Sequence, residues 1–365
     1  MTDSVVTSVT PKPRVAVWDN ARFVLIVLVV VAHGISTIRT QTDLGYWTYT
    51  FIYLFHMPAF IALAGMFSKA EVTPRAARST VQLLVTWLTW EVIWALIHFF
   101  ASGRDLPESW LVSPAWTLWF LVTLATMRIL LPYVMQLRHP LVFSVVLALF
   151  AGLSPAVGTQ FSASRTLCFL PFFVAGYLAL HRGWLHGDWF MRPRRSLRFA
   201  AVAVLGVIAA AVAVLAPLRR EWRIDTWLVW RDDYAWLFDR APIFGWAPDA
   251  WWSTALAGSA VRLGFLVVAA VMILALLVLV PRGQGFFTVW GTRTLYVYLL
   301  HGPIISYLRA SGLADWFGEF GSAGVLMLFA VGTAITVVLS MTWVTKVFRP
   351  VIEPRLDAIF AREPR

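Results

Sequence analysis

The chain has 365 residues, of which 59% are hydrophobic and only 13% charged, with a mean hydropathy of +0.73. A water-soluble domain carries roughly a quarter charged residues, so the composition excludes that class and predicts an all-α, polytopic integral membrane helical bundle. The formal charge of +11 does not mark a nucleic-acid binder, because the basic residues cluster in short loops between apolar runs, as the positive-inside rule expects.

In chain order, the segment up to Val17 is polar, with Pro11, Lys12, Pro13 and Arg14, and no short apolar core with a small-residue cleavage site precedes it. It reads as a cytosolic tail over 1–17, with a retained first span. Apolar windows long enough to cross a bilayer fall at roughly 23–38, 49–67, 81–101, 115–135, 141–158, 165–181, 199–216, 254–280, 293–309 and 322–345. About ten transmembrane helices follow, with both termini on one side. Loops 68–80, 136–140, 182–198 and 281–293 are basic and alternate with loops where acids match the bases or charge is sparse, so the tails and basic loops are expected in the cytosol. A single membrane-embedded domain over 18–348 and a cytosolic tail over 349–365 complete a multi-pass protein of the cell membrane. Within that domain, Pro217 to Ser253 is a long outward segment rich in tryptophan. It reads either as a lid whose aromatics contact a carbohydrate or as a surface-lying amphipathic stretch.

The first span, WDNARFVLIVLVVVAHGISTI, carries Arg22 and His33 eleven residues apart. At about 100° per residue that offset is about 1,100°, three turns plus about 20°, so both lie on one helix face with about 16 Å of rise between them. Asp19 lies near the same stripe and is placed to brace Arg22. An imidazole deep in lipid is a functional candidate, since its nitrogens need partners; the alternative is a histidine bonded to a neighbouring helix. The other polar residues noted inside the windows are His56, Glu91, Arg128, Arg165 and His301, and ionisable groups at such depth turn to the protein interior, which predicts one shared cavity. His301 lines that cavity or packs by hydrogen bonding. His56, just before Met57 and Pro58, lines it or satisfies backbone groups that the proline frees. Arg165 lies at the outer end of its window, where an arginine can anchor at the interface. Glu91 and Arg128 are expected to pair with each other. In the loop KAEVTPRAARS, Arg75 and Arg78 are three apart, neighbours on a helix, and such a pair suits phosphate. Cys168, the single cysteine, excludes an intramolecular disulfide, and no metal motif, nucleophile elbow or phosphate loop is present.

Arg22 with His33, Arg75 with Arg78, and the runs FHMPAFIALAGMF (55–67), WTLWFL (116–121), RTLCFLPFFVAGY (165–177) and GTRTLYVYLLHGP (291–303) together resemble the acyltransferase 3 family of membrane O-acyltransferases, in its fucose 4-O-acetylase-related branch. The resemblance runs from about Val17 to about Phe348, without a fused SGNH-type hydrolase domain. It implies transfer of an acyl group, most simply acetyl, from cytosolic acyl-CoA to a hydroxyl of a surface glycan or lipid-linked sugar. No cofactor is permanently bound; acetyl-CoA or another acyl-CoA is a co-substrate, the glycan and membrane lipids are the partners, and no nucleic acid is involved. His33 and Arg22 are then the catalytic pair, with His33 as general base or acyl relay. Arg22, Arg75 and Arg78 hold the donor phosphates, and Arg165, His56 and His301 face the acceptor, where Arg165 pairs with a sugar's carboxylate or a lipid-linked phosphate or else is an interfacial anchor. The competing readings are a proton-coupled small-solute transporter and a membrane N-acyltransferase acting on an amino sugar.

Overall fold

Each apolar window becomes helix in a computed structural model that describes residues 15–102, 109–354 and 356. The principal helices are α1 (Ala16–Ile35), α2 (Asp43–Tyr53), α3 (His56–Met66), α4 (Pro74–Ser102), α5 (Trp119–Val134), α6 (Pro140–Phe150), α7 (Ala163–His181), α8 (Arg195–Leu215), α9 (Trp251–Leu279), α10 (Thr294–Ala310), α11 (Ser322–Leu339) and α12 (Thr342–Ile352). No strand occurs among the described residues. Seven helical stretches are long and apolar enough to cross a bilayer, with α2 and α3 counted as one stretch. The other three windows give α5, α6 and α10, with 16, 11 and 17 residues. At about 1.5 Å per residue, α6 reaches only about 17 Å against a hydrocarbon core of about 30 Å. The protein is therefore a multi-pass, helical membrane protein with seven candidate long spans among the described residues.

Local chemistry explains the boundaries. Proline at position 58 has no N–H and its ring meets the carbonyl of Leu54, so the second span breaks at Leu54–Phe55 and restarts at His56. The first helix begins seven residues before its apolar window because its polar start is tied down. The Asn20 amide donates to the carbonyls of Pro281 (2.8 Å) and Gly283 (3.0 Å) and accepts from the Thr288 hydroxyl. The expected cytosolic tail over 1–17 falls outside the described residues except Val15 to Val17, of which Ala16 and Val17 are helical. Most of the expected tail over 349–365 also lies outside them, but α12 runs to Ile352 and packs on α4, where Thr86 donates to the Ile352 carbonyl at 3.2 Å.

Glycines set the closest crossing. A Cβ on Gly65 would stand 2.0 Å from the Phe173 carbonyl oxygen, and one on Gly176 would stand 2.0 Å from that of Ala62, so α3 and α7 touch backbone to backbone. We expect Gly65→Ala or Gly176→Ala to cost about 1–3 kcal/mol or more by overpacking. The buried thiol of Cys168, on α7, provides the assay. It should react with a maleimide dye at a lower temperature in either variant, whereas Gly206→Ala, with nothing within 4 Å of the added carbon, should match the parent.

The loops sort to two ends. At one, the start of α1 meets the 281–288 loop, and Arg128 of α5 donates to Ser79 of α4 at 2.8 Å. At the other, Arg39 binds Asp225 at 2.9 Å, Arg219 binds Asp43, and Arg165 donates to the Val229 carbonyl at 3.2 Å. The 217–253 segment caps this second end. Its short helices Ile224–Trp227 and Tyr234–Arg240 bury Trp227, Tyr234, Leu237 and Phe238, and Trp230 is buried too. Trp227, Tyr234, Leu237 and Phe238 form a cluster of their own and Trp230 packs against Phe169, Phe172 and Phe265, while Trp236, Trp246, Trp251 and Trp252 are exposed. Burial alone would raise the Asp225 carboxyl, but the hydrogen bonds and charges of Arg223 and Arg39 hold it below the usual carboxylate range. Asp225 thus stays ionised and clamps the cap to the chain just beyond α1.

Candidate active site

Because α1 starts at Ala16 and stops at Ile35, His33 sits in its last turn, toward the capped end, and not halfway along a helix. Small residues let the neighbouring helices approach it: a Cβ on Gly332 of α11 would stand 3.0 Å from the Val31 Cα. His33 Nδ1 lies 2.9 Å from His301 Nε2, with the rings within 10° of parallel. His301 Nδ1 in turn lies 3.0 Å from the Val297 carbonyl oxygen, four residues back on α10. A carbonyl only accepts, so His301 carries its proton on Nδ1. With both rings neutral, His301 Nε2 accepts and His33 Nδ1 donates, which leaves the lone pair on His33 Nε2. That nitrogen has no hydrogen-bond partner among the described residues, and the residue keeps partly accessible surface. Trp116 stands beside the ring, 5.0 Å between centroids.

His56 spends Nδ1 on the Ile52 carbonyl at 2.7 Å, next to the break before α3. Its Nε2 is buried and has no hydrogen-bond partner among the described residues. The ring stands 4.8 Å from that of Tyr53 and within electrostatic reach of His33. His33, His56 and His301 therefore converge.

Below His33, Arg22 binds Asp19 at 2.9 Å and lies 4.8 Å over the Phe67 ring. A cavity of about 240 Å³ opens beside Arg22 and follows α1 past Ile26 to Val29, ending among Met57, Phe120 and Tyr298. The intervals of four and three residues keep these positions on the Arg22 stripe, and the next member, one turn past Val29, is His33. A second groove of about 460 Å³ shares Phe67 and Arg128 with the first and is lined by Lys69 and Arg75. Arg75 and Arg78 occupy the first turn of α4, where Thr73 accepts from the Ala76 N–H at 3.2 Å, so guanidinium charge and a helix N-terminus coincide. Arg75 faces the groove; Arg78 does not contribute to its lining.

The expected Glu91–Arg128 pair is not formed. Glu91 accepts from the Trp87 indole (2.7 Å) and the Ala115 N–H (2.9 Å), and Arg128 binds Ser79 at the junction of the two cavities. Sequence reasoning missed Arg309, which donates to the His33 carbonyl at 3.0 Å and to the Ser36 hydroxyl, and stacks 4.2 Å over Trp116. The available signal was an arginine two turns beyond His301, at the edge of the same apolar window. Arg165 stacks 4.7 Å over Trp119 on the same side.

A nitrogen lone pair one helical turn beyond the end of a cavity lined by Arg22 and Arg128 suits transfer of a group carried on an anionic handle. Comparison with known proteins agrees. The family model described as an acyltransferase domain matches residues 15–344. Among curated proteins, the nodulation protein NolL of Mesorhizobium japonicum is 32% identical over 88 residues, a stretch covering 22% of this chain and 24% of that protein. The chain thus spans about a quarter of the length of the curated relative it matches. No solved structure matches. With its family model matching residues 15–344, which include the bundle and both cavities, the chain belongs to the acyltransferase 3 family.

Proposed function

We propose that the protein moves an acyl group, acetyl in the simplest case, from cytosolic acyl-CoA to a hydroxyl of a surface glycan or lipid-linked sugar, with both termini in the cytosol. The observation that carries this reading is the alignment of the Arg22 cavity with His33 Nε2 along one stripe of α1. Donor phosphates sit in the groove at Arg75 and Arg128, Arg22 fixes the donor at the cavity mouth, and Arg78 adds charge to the approach. The narrow apolar passage suits the pantetheine arm, which brings the thioester to the turn below His33.

His33 Nε2 takes the proton of the acceptor hydroxyl as its oxygen attacks the thioester carbonyl. The carbon–sulfur bond then breaks, and the leaving thiolate takes the proton back, so ester and free thiol form with no net change at the histidine. In the relay version, Nε2 itself attacks the thioester carbonyl and the carbon–sulfur bond breaks to release the thiolate; the acceptor hydroxyl then attacks the acyl-histidine, the carbon–nitrogen bond breaks, and the hydroxyl proton neutralises the thiolate. His301 and His56 face the acceptor side, with Arg165 above them.

The test is turnover by purified protein in vesicles, with acetyl-CoA labelled in the acetyl group and isolated surface glycan as acceptor. Label that becomes glycan-bound and is released by mild base is expected; label that resists mild base means an amide and makes the protein an N-acyltransferase. In the same assay Arg128→Gln should raise KM for acetyl-CoA about tenfold or more, since hydrogen bonds to charged groups contribute about 1.5–3 kcal/mol. An unchanged KM would remove Arg128 from the donor site.

A further inference from the structure

We infer that the acceptor is itself anionic, carrying a carboxylate or phosphate that seats between Arg165 and Arg309 while its hydroxyl meets His33; this inference rests on the acyl-transfer reading. The argument begins with charge. The capped end around His33 holds the guanidiniums of Arg39, Arg165, Arg223, Arg231 and Arg309. The carboxylates hydrogen-bonded there are already committed, Asp225 to Arg39 and Arg223, Asp232 to Arg231. Neither Arg165 nor Arg309 is hydrogen-bonded to a carboxylate among the described residues.

Each guanidinium is nevertheless held flat against an indole. Arg165 lies over Trp119 and donates Nε–H to the Val229 carbonyl; Arg309 lies over Trp116, with Nη2 serving the His33 carbonyl and the Ser36 hydroxyl. Both Nη groups of Arg165 and Nη1 of Arg309 have no hydrogen bond among the described residues, and such edge donors grip carboxylate or phosphate. Tyr53 lies within electrostatic reach of both arginines and its ring touches His56, so they face one site from two helices, α7 and α10. His33, Tyr53, Trp116, Trp119, Arg165 and Arg309 all keep partly accessible surface. Asp232 lies within electrostatic reach of Arg165 but is hydrogen-bonded to Arg231, so five guanidiniums share two carboxylates, Asp225 and Asp232, and an excess of cations at the head of an apolar bundle is costly. An acceptor that brings the anion offsets that cost, and it is oriented by the same contacts.

The experiment measures equilibrium binding by calorimetry to protein in neutral phosphatidylcholine nanodiscs, with no acyl donor present. The probes are methyl glucoside, methyl glucuronide and glucose 1-phosphate. The charged probes should bind at least about tenfold more tightly than the glucoside. Preference for the glucuronide alone identifies an acidic sugar, and preference for the phosphate alone identifies a phosphate-linked one. Arg165→Gln and Arg309→Gln should each abolish the preference, Arg165→Lys should keep part of it, and Arg240→Gln, an exposed arginine of the cap, should leave it intact. Equal binding of charged and neutral probes by the parent protein overturns the inference, as does a preference that survives both glutamine variants. Should either variant fail to fold, competition of inorganic phosphate against glucuronide on the parent decides the point. Tight binding of a charged probe with no thiol release on later addition of acetyl-CoA would instead count against the acyl-transfer reading and leave the anion site standing.

Discussion

Alanine at His33 is expected to lower acyl transfer from acetyl-CoA by about 10³-fold or more, and the protein should still insert and fold. A positioned general base contributes about 10² to 10⁴, and in the relay version the whole route is lost. The substitution removes the His33 ring nitrogen that has no hydrogen-bond partner among the described residues, and with it the donor to His301 Nε2. The fold should tolerate this, because His33 is partly exposed and α1 is held by its packing with α11 and by the Asn20 anchor at its far end. Labelled acetyl transfer gives the activity and Cys168 reactivity against temperature gives the fold; a folded variant with near-parental transfer would eliminate base and relay together.

How much of this was legible beforehand depends on range. The Arg22–His33 stripe and the Asp19 brace were legible because they belong to one helix, where spacing alone fixes the face. The apolar windows were legible as helices, but hydropathy averages do not report where backbone hydrogen bonding stops. Pro140 starts α6 and a tight turn at Gly152, pressed on the Tyr234 ring, ends it, so that window becomes a helix of 11 residues. Convergence of the three histidines followed from the cost of polar groups in lipid, but the 2.9 Å contact between His33 and His301 joins residues 268 apart in sequence, and no periodicity encodes such a meeting. The same limit hid Arg309, and it misled at Glu91, where an indole and a backbone N–H stand in place of the opposite charge that sequence suggested. Arg128 was visible as a buried charge, while its place at the junction of two cavities depends on how α4 and α5 pack.

The second large effect is expected at His301, a positioning residue. Its carbonyl partner fixes its tautomer, and that tautomer fixes which nitrogen of His33 is free, so the chain from Val297 through His301 aims the lone pair. Orienting groups of this kind are worth about 10² to 10⁴ in rate. His301→Leu should therefore drop kcat by about 10²-fold while KM for acetyl-CoA stays within about twofold, because the donor cavity is lined elsewhere. His301→Gln should recover a measurable part of kcat, since the Gln side-chain oxygen can accept from His33 Nδ1–H as the imidazole did. A purely structural role would treat leucine and glutamine alike and would lower the temperature at which Cys168 reacts in step with activity. Equal kcat in the two variants, both folded, would mean that the histidine pair does not aim His33, and the choice of Nε2 as the reacting atom would lose its support.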